Sequence, residues 1–423
     1  MKVFKFGGAS VKDAAAVKNV GHIIADHATD KLLVVISAMG KTTNALEQLV
    51  AGFWNNDQST KQNSLDTLKT FHFNIAKDLI SDPKHYIFSD LEDLFMELEC
   101  LVEKPVPQIS YDEVYDSIIG YGELLSTKIV SDYLQSIDIR NKWVDARNFI
   151  QTDSNFREGR VNWQITEDTV QSILLPYIER NTVITQGFIG KDTHNRSTTL
   201  GREGSDYSAA IFAYCLNAKD VTIWKDVAGV MNADPKRFPS AIKLDAINYN
   251  QAIELAYYGA SVIHPKTIQP LKSKNIQLYV NSFIDTKAIG TVVNNDAANL
   301  KAECYIVKTE QTLLNISTKN YSFIAEDNLS KIFDFFAQHK VRINVMQNSA
   351  ISFSACCDTK EDKIEQLCQA LSSEYQVDTI KDCQLLTIYN PSTETAIPST
   401  FSETTPLLKQ VLGPAMQLVL RID

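Results

Sequence analysis

Residues Met1–Ser10, MKVFKFGGAS, decide the predicted fold class. A short apolar strand that carries Lys5 runs directly into a Gly-Gly-Ala-Ser loop, and a helical pattern begins at Val11. A strand, a small-residue loop and a helix in this order present backbone N–H groups and a helix N-terminus to an anion. An ordinary βα turn of a parallel sheet has the same pattern, because its glycines serve only the backbone. An anion site and a plain turn therefore stay open as alternatives here.

The composition is typical of a globular protein. With 423 residues, 44% hydrophobic and 22% charged, the chain exceeds one hydrophobic core and predicts two or three domains. A formal charge of −10 argues against nucleic acid or an anionic membrane surface as a partner. The sequence has no run of about 20 apolar residues and no secretory leader pattern. Seven cysteines without a CxxC pair indicate reduced, mostly buried thiols, so we expect a cytoplasmic protein.

A second strand ends in a similar loop. Leu32–Ser37 is apolar and leads into Ala38–Asn44, which is rich in small and hydroxyl residues. Parallel sheets bind ligands beyond the carboxyl ends of their strands. We therefore expect both loops to face the same rim of an α/β sheet.

Helical patterns follow. Residues 45–105 are interpreted as a helical insertion that covers this rim, with a packing stripe at Leu91, Leu94, Phe95, Leu98 and Leu101. Tyr111–Leu134 predicts one long helix that carries Glu123 just after two glycines. Glycine inside a helix costs about 1 kcal/mol, so a close approach to another group would account for it. A solvated glutamate on a tightly crossing helix is an equally good interpretation of that stretch.

A second polar stretch, Thr198–Ser208, stands where another helix begins. Capping of that helix would explain Ser205 or Asp206. It does not explain Arg202, whose planar fork suits a carboxylate or a phosphate, so we favour a binding function. Val221–Asp226 is then a strand that ends in charged residues.

The C-terminal part predicts a different fold. The order of strands and helices from Thr312 to Lys381 is βαββαβ, the ferredoxin-like pattern. Two further strands, Gln384–Tyr389 and Met416–Ile422, are too few to repeat that unit. The predicted domains are therefore residues 1–298, 303–382 and 383–423.

Lys5–Ser10 resembles the KFGGTS opening of the aspartate kinases, which belong to the amino-acid kinase family. Further matching stretches, in the same order and spacing, are Val35–Ala38, Gly122–Leu124, Thr199–Ser208, Trp224–Gly229, Asp234-Pro235 and Gly259–Pro265. The βαββαβ unit resembles the regulatory ACT domain of those kinases. The resemblance thus implies a three-layer parallel-sheet kinase domain followed by an ACT region.

The resemblance also implies an activity. It is transfer of the ATP γ-phosphoryl group to the β-carboxylate of L-aspartate, with Mg²⁺ on the phosphates, as the first step towards lysine, threonine, methionine and diaminopimelate. Lys5 and Asp206 match catalytic positions. Aspartate-side positions are Thr43, Glu123, Arg202 and Ser205. Nucleotide-side positions are Gly7, Gly8, Ser10, Ser37, Lys225, Asp226, Met231 and Lys236. No protein ligand of the metal is assigned.

Several residues depart from the family pattern. Ala9 replaces a threonine, Glu203 a glycine, Met231 a tyrosine, Lys236 an arginine and Ser261 a lysine near ATP. Weaker nucleotide affinity is therefore expected. None of these changes removes a catalytic or acid-binding position, so we expect an active enzyme.

The regulatory region departs as well. Asn344 stands where lysine-sensitive relatives have aspartate, and Ala350 where they have glutamate. An unpaired buried ammonium costs several kcal/mol, so the sequence predicts weak sensitivity or none to lysine. Exposed strands such as Gln384–Tyr389 need covering, which predicts a homodimer through the ACT region.

Two alternatives remain. One is a kinase of another acid, such as glutamate or a carbamate-like substrate, on the same fold; the ACT unit and Gly201–Asp206 argue against it. The other is a non-catalytic amino-acid sensor, against which the intact Lys5 and Asp206 argue.

Overall fold

The opening strand, β1 (Lys2–Phe6), lies inside an eight-stranded sheet. It pairs in parallel with β2 (Leu32–Ile36) and with β7 (Asp220–Lys225). The other strands of this sheet are β3 (Asn141–Trp143), β4 (Thr182–Gln186), β8 (Ala246–Asn248), β9 (Gln277–Ser282) and β10 (Thr291–Asn294), in the order β3-β4-β2-β1-β7-β9-β10-β8. Every residue of β2 is buried, as expected of a parallel strand covered on both faces. Only the β9–β10 pair among these neighbours is antiparallel, so the predicted α/β class is confirmed.

The structure, a computed structural model, describes residues 1–27, 31–105, 108–260, 263–320, 322–392, 401 and 405–421. Ser261 and Ile422, which the sequence analysis singles out, lie outside them. The chain forms two compact units. The first is Met1–Val230 with Lys243–Ile253 and Val262–Asn299, and the second is Met231–Ile242 with Glu254–Ser261 and Leu300–Asp423.

Helices connect the strands of the first sheet. In chain order they are α1 (Ala14–Ala25), α2 (Thr42–Trp54), α3 (Gln58–Leu79), α4 (Ile87–Glu103), α5 (Tyr111–Ile119), α6 (Tyr121–Ser136), α7 (Trp163–Thr169), α8 (Leu175–Ile178), α9 (Gly204–Cys215), α10 (Tyr249–Tyr258) and α11 (Pro265–Ser273). A π-helical turn, Val170–Leu174, joins α7 to α8. A hairpin of β5 (Ile189–Lys191) and β6 (Ser197–Thr199) stands outside the large sheet.

The block predicted as helical, residues 45–105, consists of α2, α3 and α4. The predicted packing stripe is confirmed, because Leu91, Phe95 and Leu98 are fully buried and its other two members are partly buried against the same core. That core continues to Phe4 and Phe6 of β1, so the helical block is anchored to the central strand.

The long helix predicted from Tyr111 to Leu134 is wrong in one respect. It is divided at Gly120 into α5 and α6. A β-carbon on Gly120 would lie 3.0 Å from Cγ2 of Ile189, so glycine allows close packing against β5 there. The division places Glu123 in the first turn of α6. After α6, β3 ends at Trp143, and a 3₁₀ turn, Ala146–Asn148, follows it.

The second unit contains a six-stranded antiparallel sheet. Its strands are β11 (Cys304–Thr318), β12 (Ile343–Asn348), β13 (Ser352–Asp358), β14 (Tyr375–Tyr389), β15 (Leu408–Leu412) and β16 (Ala415–Arg421), in the order β12-β13-β11-β14-β16-β15. Helices α12 (Glu326–Gln338) and α13 (Glu361–Leu371) pack on it through Ile332, Phe336, Ile364 and Leu367. The predicted βαββαβ order is confirmed.

The end of the chain differs from the prediction. The two strands predicted at Gln376–Lys381 and Gln384–Tyr389 are one continuous strand, β14. Its second half pairs with β11 on one side and β16 on the other, so Gln384–Tyr389 is not an exposed edge. β15 was not predicted. The predicted limit between residues 382 and 383 falls inside β14, and the domain limits stay a prediction.

All seven cysteines are free thiols, and five of them are buried, as predicted. No helix in the part of the chain that the structure describes has both the length and the apolar composition needed to cross a membrane.

Gly187, just after β4, permits the closest approach of the sheet to α9. A β-carbon there would lie 2.4 Å from Cβ and 2.7 Å from Cα of Ser205. We expect Gly187→Ala to lower the free energy of unfolding by about 1–3 kcal/mol, because the first turn of α9 must move. The control is Gly7→Ala, whose added carbon meets Nζ of Lys5 at an ordinary 3.4 Å and whose φ of −80° suits alanine. Equal stability of the two variants in urea unfolding would contradict the close packing.

Candidate active site

Two lysines share one buried carboxylate where β1 and β7 meet α9. Nζ of Lys5 lies 2.7 Å from Oδ1 of Asp206, and Nζ of Lys225 lies 3.6 Å from Oδ2. The Asp206 side chain is 4% exposed and that of Lys5 11%. Two ammonium groups therefore face one carboxylate. Positively charged groups placed together at a rim attract anions.

The charge state of Asp206 follows from these neighbours. Burial by itself would raise the pKa of this carboxyl. The ammonium groups of Lys5 and Lys225 and their hydrogen bonds outweigh the burial and hold the pKa below its usual range. Asp206 is therefore ionised at neutral pH and keeps both lysines in place.

The Gly-Gly loop after β1 packs closely against the loop after β2 and is hydrogen-bonded to it. A β-carbon on Gly8 would lie 2.7 Å from the carbonyl oxygen of Ala38, and the N–H of Gly40 donates to the Gly8 carbonyl at 3.0 Å. Gly8–Val11 forms a 3₁₀ turn in which Ser10 is buried. Helix α1 starts only at Ala14, later than the predicted Val11. The two rim loops therefore meet as predicted, through a turn rather than a helix end.

Glu123 projects into this rim from the first turn of α6. Its Oε1 accepts the N–H of Ala38 at 3.2 Å, and its residue is 4% exposed. Burial raises the pKa of Glu123 to about 8, although the hydrogen bonds and the charge of Lys5 act in the opposite direction. The interpretation of Glu123 as a solvated surface residue is therefore wrong. In the same place, Ser126 donates to the carbonyl of Ser37 at 2.8 Å, which fixes Ser37 at the end of β2.

A buried histidine supports the start of α2. Nε2 of His72 lies 3.4 Å from Oγ1 of Thr42, and Nδ1 lies 2.7 Å from the carbonyl oxygen of Leu68. Burial lowers the pKa of His72 to about 4, so the ring is neutral at pH 7. Nδ1 then donates to Leu68, and Nε2 accepts from Thr42. Thr43, the next residue, is partly exposed in the first turn of α2. His72 belongs to no local motif, so the sequence did not predict this role.

A buried carboxylate holds the segment that leads to Arg202. Asp116 of α5 accepts the N–H of Arg157 at 2.9 Å and both the N–H and the hydroxyl of Thr199 at 2.8 Å. Burial raises the pKa of Asp116 to about 6, and the hydrogen bonds oppose it. Arg202 follows three residues after Thr199 and is exposed. The partners of Asp116 are distant in sequence, so no local pattern predicts its role.

Neither Ser205 nor Asp206 caps α9. The capping position belongs to Glu203, whose φ is +53° and whose side chain makes no bond to the first turn of α9. Ser205 is buried in that turn, and Arg202 directly precedes Glu203. The capping explanation of this stretch is therefore wrong, and its polar residues are available for another role.

The residues that are predicted to bind the nucleotide do not all belong to the same compact unit. Ser37 and Lys225 lie at the ends of β2 and β7, and Asp226 is exposed directly after β7. Met231 and Lys236 belong to the second unit, where Met231 is partly exposed and Lys236 exposed. Within the described ranges, no group of three or more His, Cys, Asp or Glu side chains could hold a metal ion.

Comparisons with known proteins agree with this arrangement. A model of the amino acid kinase family matches residues 1–282. Lysine-sensitive aspartokinase 3 of Escherichia coli is 32% identical over 358 residues, which are 84% of this chain and 78% of that protein. Chloroplastic aspartokinase 1 of Arabidopsis thaliana is 30% identical over 84% of this chain and 63% of its own length.

A solved structure agrees over the whole chain. E. coli aspartokinase III in complex with aspartate and ADP has a TM-score of 0.84 and 28% identity, covering 100% of this chain and 96% of that one. The fold and these matches define the class of protein, an amino acid kinase. The chain belongs to the amino acid kinase family, and within it to the aspartokinases.

The buried Glu123 should make stability depend on pH. Its pKa of about 8 lies above the ordinary glutamate pKa of 4.5, so the unfolded chain loses this proton at a lower pH than the folded chain. Stability is then lost as pH rises from about 4.5 to 8. Glu123→Gln removes that loss and keeps an acceptor for Ala38. We expect the thermal midpoint of the ligand-free variant to exceed wild type by about 2 °C or more at pH 8, and by little at pH 5.

The control for this prediction is Glu99→Gln on α4. The Glu99 side chain is 38% exposed, and its pairing distance to Lys69 is 4.0 Å. Its replacement should leave the midpoint nearly unchanged at both pH values. A lower midpoint of Glu123→Gln at pH 8 would show that Glu123 is ionised and stabilising.

Proposed function

We propose that this chain is an ATP-dependent aspartate kinase. It transfers the γ-phosphoryl group of ATP to the β-carboxylate of L-aspartate, giving 4-phospho-L-aspartate and ADP. The observation that carries the proposal is the cluster of Lys5, Asp206 and Lys225 at the strand ends, beside two interlocked glycine loops. The E. coli relative bound to aspartate and ADP supports the choice of substrates.

The lysines act on the charge of the transferred group. A β-carboxylate oxygen of aspartate attacks the γ-phosphorus while the bond to the β–γ bridging oxygen breaks and ADP leaves. Such a transfer depends on positioning and on neutralising the phosphoryl oxygens. Lys5 and Lys225 supply the positive charge, and Asp206 orients both of them. The N–H groups of Gly7 and Gly8 add further donors.

A different set of rim residues binds the aspartate substrate. Arg202 binds a carboxylate of aspartate through its planar fork. Glu123, aimed into the site by the N–H of Ala38, binds the ammonium group. Since burial favours the protonated form of Glu123, binding of the ammonium releases a proton below about pH 8. Thr43 and Ser205 complete this set.

The nucleotide is assigned to the ends of β2 and β7. Ser37, Lys225 and Asp226 hold it together with Ser10. The family resemblance adds Met231 and Lys236. Mg²⁺ would supply further positive charge to the ATP phosphates, and no residue of the chain is assigned to hold it. The two ammonium groups that face Asp206 suit this polyphosphate.

Replacement of Lys5 tests the proposal directly. We expect Lys5→Met to lower kcat/KM for aspartate at least about 100-fold, because one charged donor to the phosphoryl oxygens is lost. Lys5→Arg, which keeps the charge on Asp206, should retain more activity. The control is Lys31→Met at an exposed ion pair with Glu179, where wild-type rates are expected. ADP release coupled to a dye measures all four proteins.

The same assay separates the alternatives. A panel of aspartate, glutamate and a carbamate-like acid identifies another substrate. If wild type and Lys5→Met release ADP equally slowly with every acid, the protein is a non-catalytic amino-acid sensor and not a kinase. A Lys5→Met variant that keeps most of the wild-type rate would contradict the role of Lys5.

The second unit supports weak regulation by lysine. Oδ1 of Asn344 accepts from Nζ of Lys308 at 3.0 Å, and its Nδ2 donates to Gln311 at 2.8 Å and to Asp358 at 2.7 Å. Burial would raise the pKa of Asp358, but the hydrogen bonds from Gln311 and Asn344 and the nearby cations hold it lower. The polar groups around Asn344 are thus engaged with one another, and a cation of the chain itself is among them.

We therefore expect L-lysine at about 10 mM to change the rate less than twofold. The physical reason is that a free ammonium has to displace Lys308 from Asn344 without gaining a carboxylate at that position. The lysine-sensitive E. coli relative serves as the positive control in the same assay. Half-maximal inhibition below about 1 mM would contradict this expectation. Threonine and methionine are tested in parallel.

A homodimer through the second unit also belongs to the proposal. The outer strands of its sheet are β12 and β15. On β15, Val411 and Leu412 are 62% and 63% exposed, and Met346 on β12 is 46% exposed. Exposed strand edges with apolar side chains need a partner.

The cytoplasmic location stays a prediction from the sequence.

A further inference from the structure

Glu203 occupies an unusual backbone position at the rim. It directly precedes α9, and its φ of +53° lies in the left-handed region that favours glycine. A residue with a β-carbon pays about 1 kcal/mol or more for that conformation. Its carboxylate does not offset this by capping α9, since no side-chain bond to the helix is made. The carboxylate makes its contact elsewhere.

That contact is with the start of a neighbouring helix. Oε2 of Glu203 accepts the backbone N–H of His264 at 3.0 Å. His264 is the capping residue of α11, and its own Nδ1 accepts the N–H of Lys266 at 3.2 Å. The carboxylate thus lies at the positive end of the α11 dipole, where a negative charge is stabilised.

The two helices joined by this bond pack along their lengths. α11 packs against α9, with Ile268 and Leu271 of α11 and Ile211 of α9 fully buried. The Glu203–His264 bond fixes the starts of both helices relative to each other. The start of α9 is the turn between Arg202 and the buried pair of Ser205 and Asp206.

We infer that Glu203 is a positioning residue for the acid substrate. Its bond to His264 fixes the conformation of the turn that carries Arg202. The same bond keeps the charge of the Glu203 carboxylate at the start of α11. A carboxylate released from α11 would stand next to Arg202 in sequence and would compete with the substrate carboxylate for the guanidinium. In the described part of the chain, Arg202 has no ion pair, so its guanidinium is not already neutralised. The inference rests on the proposed binding of the acid by Arg202.

Three variants separate the bond from the backbone strain. Glu203→Gln keeps an acceptor for His264. Glu203→Ala loses the acceptor and keeps the strained β-carbon, and Glu203→Gly loses both. We expect KM for aspartate to rise about 5- to 20-fold in the alanine and glycine variants, with KM for ATP changed less than twofold. The glutamine variant should remain within about threefold of wild type in both constants.

Thermal stability provides the second readout. Glu203→Gly should have a higher midpoint than Glu203→Ala because glycine adopts this φ without strain. Its KM for aspartate should nevertheless stay high. The thermal midpoint and KM for aspartate would then change independently of each other. If Glu203 had only a structural role, the two would change together.

The opposite results are equally specific. If the alanine and glycine variants bind aspartate as wild type does, or if KM for ATP rises as much as KM for aspartate, the positioning role is wrong. If Glu203→Gln behaves like Glu203→Ala, the bond to His264 is not what matters. Failure of the wild type to release ADP with aspartate overturns the proposed function instead, so the two failures are distinguishable.

Discussion

The buried pair of Lys5 and Asp206 is the interaction on which the site depends. Taking two charges out of water costs several kcal/mol per ion unless the partners are held in good geometry. That requirement ties β1, which carries Lys5, to the first turn of α9, which carries Asp206. It also explains why the sheet has glycine at residue 187, since a side chain there would push α9 away. Much of the local geometry follows from keeping one carboxylate paired.

The two acids at the rim show how the surroundings decide charge. Asp206 and Glu123 are both almost completely buried, yet burial prevails only at Glu123. Asp206 has two ammonium groups within 4 Å, whereas Glu123 accepts a hydrogen bond from the neutral N–H of Ala38. One acid is therefore ionised and the other protonated near neutral pH. A buried, unpaired acid lowers stability, which is a common property of residues retained for binding.

Local patterns predicted the parts of the fold that depend on neighbours in sequence. Apolar strands ending in small residues placed both rim loops, and the three- and four-residue spacing in α4 identified its buried face. Asp116, His72 and Glu203 were not predicted as supports, because their partners lie up to 83, 30 and 61 residues away. The sequence predicts one strand that ends at Lys381 and another that begins at Gln384, but Asp382 takes a left-handed φ of +57° within a single strand and the pairing with β11 continues.

The continuity of β11 and β14 has a mechanical consequence. Each strand has 15 residues, and the pair runs from the half covered by α12 and α13 to the half that pairs with β16. The hydrogen-bond ladder between them shifts register between Lys308 and Leu313. Since a bulge concentrates twist, this short segment sets the angle between the two halves of the strand pair. The half that carries α12 and α13 is therefore oriented relative to the half that pairs with β16 by the residues between Lys308 and Leu313.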